Sequence, residues 1–113
     1  MRIHAILDRA VFKTGETDNV NISIYDSDGS PLVLQASDII TINAKRWIDS
    51  EEYLLEDTSC SITDAAYGEC EFTISVGEGA GLGRYLAEIT LQRIVDSVTL
   101  KSSDITMWID RGI

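Results

Sequence analysis

"NVNISIYDSDGSPL" (Asn19–Leu32) holds the two patterns from which the fold can be read. Its first half alternates: Val20, Ile22 and Ile24 fall on one side, and Asn19, Asn21, Ser23 and Tyr25 on the other. Successive strand side chains point to opposite faces, so this is a half-buried β-strand. The second half packs two aspartates, a glycine and the chain's only proline together. Asp26 and Asp28 resemble the start of a calcium loop, but such a loop needs further oxygen ligands at regular spacing and a closing bidentate glutamate. Here Ser30, Pro31 and Leu32 follow, and the next acid is Asp38. A turn explains each position: aspartate caps nearby backbone, Gly29 accepts positive φ, and Pro31 starts the next extended run. The stretch reads as a strand followed by a turn.

The period of two recurs along the chain. "DIITINA" sets Ile40, Ile42 and Ala44 on one face, and "CEFTISV" sets Cys70, Phe72, Ile74 and Val76 against Glu71, Thr73 and Ser75. "RYLAEITLQ" alternates Tyr85, Ala87, Ile89 and Leu91 against Leu86, Glu88, Thr90 and Gln92. The last segment breaks phase, because Val98 and Leu100 share one parity and Ile105, Met107 and Ile109 the other. One extra residue near Ser102–Asp104, or a bend between sheets, restores the inward face.

Turn signals separate the runs: "KTGETD" after the first strand, "DSDGSP" before a short strand "LVL", "DSEE" after Trp47, "TDAAYGE", "GEGAGLG" and "VDS". No helical period persists over ten residues. Seven or eight short antiparallel strands at this spacing predict an immunoglobulin-like β-sandwich spanning residues 1–113 as a single domain, with a closed barrel as the alternative. Two packed layers hide both apolar faces, where one flat sheet leaves an apolar face wet.

The chain has 113 residues, a hydrophobic fraction of 44% and a formal net charge of −10, from 19 acidic and 9 basic residues. That composition suits one packed core, and the negative surface repels phosphate backbones, which argues against nucleic-acid binding. Asp8 and Arg9 interrupt "MRIHAILDRAVFKTGE" before a signal-peptide core forms, and no stretch approaches the roughly 18 apolar residues of a membrane span. The expectation is a chain made and kept in a cytosol, without membrane or cofactor.

No residue set reads as a reaction centre. "GEGAGLG" (Gly77–Gly83) resembles a phosphate-cradling loop in composition only, since a strand follows it instead of a helix. His4 is the only histidine and has no partner set at a catalytic spacing. Glu51 and Glu52 are adjacent, so on a strand they point to opposite faces. Cys60 and Cys70 read as small core residues, or as a disulfide across the "TDAAYGE" hairpin; a cytosolic origin favours free thiols. Trp47 and Trp108 fall off the inward parity of their strands, as interface anchors do. The alternative is that a bulge or sheet edge turns them inward.

The order of features, from "FKTGETDNVNISIYDSDGSPLVL" through "ASDIITINAK", "SITDAAYGECEFTIS" and "GLGRYLAEITLQ" to one last strand, resembles the N-terminal domain of phage baseplate upper proteins and related tail and fibre modules. The resemblance covers nearly the whole chain. It implies a β-sandwich that anchors an appendage to a virion, in trimeric or hexameric assemblies with other virion proteins, formed in the host cytoplasm and without catalysis. Such domains usually continue into a receptor-binding part, whereas this chain ends after "DITMWIDRGI", which implies a stand-alone accessory or decoration protein. The competing reading is a carbohydrate- or surface-binding module whose stacking platforms are exposed aromatics among Tyr25, Tyr53, Tyr67 and Trp47.

Overall fold

A computed structural model describes residues 2–47 and 51–112. Part of the expected "DSEE" turn lies outside the described residues. The architecture is all-β, with nine strands among the described residues: β1 (His4–Leu7), β2 (Val11–Lys13), β3 (Thr17–Tyr25), β4 (Ile39–Lys45), β5 (Tyr53–Asp64), β6 (Glu69–Ser75), β7 (Gly83–Arg93), β8 (Val98–Lys101) and β9 (Ile105–Asp110). They form one curled, open hydrogen-bonded path, β1-β3-β6-β5-β4-β7-β9-β2, with β8 also on β7.

The inward sets read from the alternation are the core. Val20, Ile22 and Ile24 of β3, Ile40, Ile42 and Ala44 of β4, Cys70, Phe72 and Ile74 of β6, and Tyr85, Ala87, Ile89 and Leu91 of β7 are all buried. Full burial of each larger aliphatic or aromatic side chain is worth about 1.5–3 kcal/mol. A one-residue slip would expose a whole set, so the pattern pins the register.

Three expectations are corrected. The strand count is nine, above the seven or eight expected, because the first run is two strands. At Asp8–Ala10 the chain leaves β3, its antiparallel partner along β1, and joins β9 along β2. The sheet is also not wholly antiparallel, since β2 runs parallel to β9. The two ends of the strand path are thus one continuous segment, which draws the curled sheet's margins together. Arg9 holds this switch: its guanidinium meets Glu16 at 2.6 Å and Asp18 at 2.7 Å and lies over the Phe12 ring. Finally, "LVL" (Leu32–Leu34) is not a strand. Leu32 and Leu34 are buried, but their N–H groups donate to Ile24 O and Ala65 O, over the tip of the β5–β6 hairpin.

That tip contains a 3-10 turn, Ala65–Tyr67, closed by Gly68 at φ 69°. A Cβ at Gly68 would lie 2.5 Å from Ile24 O and 2.6 Å from Leu32 O, so glycine is needed for space as well as for φ.

The "DSDG" stretch is a turn. Asp26 N–H and Gly29 N–H close it onto Ser30 O and Asp26 O, and Gly29 has φ 89°. The carboxylates face inward on the loop's own backbone: Asp26 accepts from the Asp28 N–H and Asp28 from the Ser30 N–H. Hydrogen bonding with Asp26 and Ser30 holds the Asp28 carboxyl below its ordinary value.

Candidate functional site

Two β-bulges flank the central pair β4–β7. On one flank, Ile42 pairs Thr58 and Ala44 pairs Leu55, so Glu56 and Asp57 stand opposite Asn43 alone. Asp57 has φ 43°, and its N–H donates to Asn43 Oδ1 at 2.8 Å while Asn43 Nδ2 donates to Asp57 Oδ1. On the other flank, Ala87 pairs Ile105 and Thr90 pairs Lys101, so three residues, Ser102–Asp104, stand opposite Glu88 and Ile89. This is the extra residue that the phase break called for. In both bulges a polar side chain replaces a lost main-chain partner: the Asn43 amide in the first, and in the second Ser102 Oγ, which accepts the buried Ile89 N–H at 2.9 Å.

Asn43 and Glu88 are register partners, so the bulges sit at the same height on either side of β4–β7. Bulges bend and twist a sheet locally, and the outer face here carries a hollow of about 120 Å³. Trp47, Leu86 and Asn43 line it, with Lys45, Glu88 and Asp104 adding charge. Glu88 is within 3.6 Å of Lys101.

The second bulge also fixes Trp108. Leu100 and Ser102 point inward; after the extra residue, Met107 and Ile109 do, and Trp108 is turned out. Trp108 pairs Val11 on one side and Arg84 on the other. Its diagonal neighbour is Leu86, through the Leu86–Thr106 pair. Trp47 is 58% exposed, Trp108 45% and Val11 47%. Lys45 Nζ lies 5.3 Å from the Tyr53 ring at the same end of β4. The outer face of β4, β7, β9 and β2 is therefore an aromatic and aliphatic surface that carries Lys13, Lys45 and Arg84 together with Glu88, Asp104 and Asp110.

Of the four aromatics proposed as sugar platforms, Trp47 and Tyr53 share this end of the molecule. Tyr67 follows the far end of β5, and Tyr25 lies beside the same hairpin tip, so the four do not form one platform. His4 is exposed in β1 opposite Tyr25. Glu52 makes an ion pair with Arg46 at 3.5 Å, and Glu51 is exposed. Gly77–Gly83 forms a loop at whose end Tyr85 Oη donates to Gly81 O. Cys60 and Cys70 are free thiols: Ile62 pairs Cys70, so Cys60 is its diagonal neighbour. Hydrogen bonding to Cys70 and burial push the Cys60 thiol up. Among the described residues, no three of His, Cys, Asp and Glu gather as a metal site.

Sequence reasoning missed Val11 and Leu86 as members of the face. Leu86 had left a trace, as the single aliphatic residue on the otherwise polar side of its strand. It also missed the Asp38–Arg93 pair, whose members are distant in sequence and join at 2.9 Å and 3.2 Å in a two-point contact.

No family model matches the chain, and no curated protein does. Among solved structures it is similar to a superoxide reductase (neelaredoxin) from Ignicoccus hospitalis, with a TM-score of 0.54 and 9% identity over 96% of this chain and 82% of that one. A likeness at that identity concerns the fold alone.

Proposed function

We propose that this chain is a bacteriophage virion structural protein, a baseplate, tail or fibre-attachment module that works through protein–protein assembly contacts. In this reading it assembles in the host cytoplasm as a trimer or hexamer and joins other virion proteins. The observation that carries the reading is the outer face around Trp108: tryptophan and arginine, residue types enriched among interface hot spots, displayed with leucine and valine on regular strands. The ordered resemblance to baseplate and tail modules supplies the biological setting. We also read the curled sheet as the immunoglobulin-like sandwich expected from the sequence, with β5 pairing β4 along its first part and β6 along its last.

The fold likeness to a superoxide reductase raises an enzymatic alternative. Reducing superoxide takes an electron donor at the site. The described residues bring together no cluster of donor side chains suited to a metal, and the single histidine is on an exposed strand, so no reaction step is assigned. The hollow beside Trp47 favours a second reading, a sugar subsite with Trp47 as platform. Glycan-array binding that is lost in Trp47→Ala would support that reading.

The assembly reading is tested on particles released by lysis from producing cells. Mass spectrometry should find the chain at a copy number divisible by three, and Trp108→Ala should reduce its incorporation at least several-fold. Absence from purified particles would overturn the proposal.

A further inference from the structure

The charge pattern of the strands indicates what the aromatic face docks against. β1, β3, β5 and β6 contain no lysine or arginine, yet carry Asp18, Glu56, Asp57, Asp64, Glu69 and Glu71. Every lysine or arginine within a strand lies in β2, β4, β7 or β8, namely Lys13, Lys45, Arg84, Arg93 and Lys101, and the acids in the strands of that half are Glu88 and Asp110. The sheet is thus polarised from one half to the other.

The outward sides differ in texture as well. On β3 and β6, short polar side chains bond to one another: Thr17 with Ser75 at 3.2 Å, and Thr73 Oγ1 donating to Asn19 Oδ1 at 2.7 Å. Glu71 stands between Asn21 and Ser61, and Glu69 beside Ser23. Asp8 joins them by accepting from Asn21 Nδ2 at 3.0 Å. On the opposite half, Trp108 lies between Val11 and Arg84, and Lys13 follows Val11 on the same side of β2. Among the described residues, no carboxylate lies within ion-pair distance of Arg84.

We infer that the aromatic, cationic face around Trp108 and Arg84 docks onto the acidic, hydroxyl- and amide-lined face around Glu69 and Glu71 of a second copy of this chain. This rests on the assembly reading above and specifies its geometry. Pairing like faces across a two-fold axis would set two acidic faces, whose strands hold no lysine or arginine, against each other, and like charges so placed cost several kcal/mol. It would also leave the cations of the Trp108 face only that face's own acids, Glu88, Asp104 and Asp110. Copies with a net charge of −10 repel in general, so association depends on a local meeting of opposite charges. Contact between unlike faces leaves one of each unused on every pair. Addition therefore continues until a ring closes or a filament grows, which is how one small chain reaches three- or six-fold symmetry.

The test uses Arg84→Glu and Glu71→Lys, each confirmed folded by circular dichroism. Trp108→Ala and Glu69→Lys replace either one that does not fold. Wild type should oligomerise in light scattering, and each variant alone should be monomeric, with at least a tenfold weaker association. An equimolar mixture should form a 1:1 dimer, because each variant keeps the face that the other has lost. A wild-type monomer throughout, a folded mixture that gives no dimer, or Glu71→Lys retaining the wild-type mass would overturn the inference. A wild-type monomer found in particles at fixed copy number would overturn self-docking and leave the virion role intact. An oligomer absent from particles would do the reverse.

Discussion

Ile89 donates its backbone N–H to Ser102 Oγ at 2.9 Å, and that bond holds the bulge which turns Trp108 outward. Without the extra residue, the parity of Leu100 would continue and Trp108 would point into the core. A structural hydrogen bond thus sets the composition of the proposed docking face.

Ser102→Ala removes the acceptor for a buried N–H. Leaving such a donor unsatisfied costs about 1–3 kcal/mol. Urea unfolding should show a lowered midpoint with an unchanged slope. A wild-type midpoint would mean that the bulge does not depend on this hydroxyl.

Asp38 gives the fold an acid-sensitive tie. Burial pushes its carboxyl up, but hydrogen bonds from Arg93 and the Gln35 N–H outweigh burial and hold it below its ordinary value. A carboxyl whose folded pKa is depressed adds stability that is complete above its unfolded value, about 4, and is lost as pH falls through the lower folded one. Asp38→Asn should therefore be less stable than wild type at pH 7, with the gap narrowing below about pH 4. Arg93→Ala, which strands a buried carboxylate, should cost about 3–5 kcal/mol at neutral pH. Thermal melts across pH 2–7 read both, and a constant gap down to pH 2 would contradict this assignment.

Gly68→Ala meets two obstacles at once, a left-handed φ and two backbone oxygens within 2.6 Å. The conformational part alone costs about 1–2 kcal/mol. The melting temperature should drop by more than for an alanine at Gly29, where φ is also positive but nothing lies within 4 Å. Equal drops would mean that contact with Ile24 and Leu32 contributes nothing.

Cys70 is buried in the core and Cys60 is half-buried against it, with the Cys60 thiol raised. The thiolate is the reactive form. A thiol reagent at pH 8 should label the native protein slowly and both cysteines promptly in urea. Prompt native labelling of Cys70 would contradict its burial.

The core was legible because it depends on alternation: the inward residues of β3, β4, β6 and β7 were all named by parity alone. The "DSDG" turn was legible from its residue types, and the phase break located the second bulge. The strand switch at Asp8–Ala10 was not, since parallel pairing of β2 with β9 depends on residues about a hundred positions away. "LVL" failed for a different reason: three apolar residues in a row fit a strand or a buried loop equally well, and Gly68 and Ala65 decided between them. Trp47 and Trp108 were readable as outward. Their neighbours Val11 and Leu86 required the register.

The most direct test of the docking face is light scattering after size exclusion, for wild type and Trp108→Ala, over a hundredfold range of concentration. The account predicts a concentration-independent trimer or hexamer for wild type and a monomer, with a native circular dichroism spectrum, for the variant. A Trp108→Ala protein that keeps the wild-type mass would contradict it.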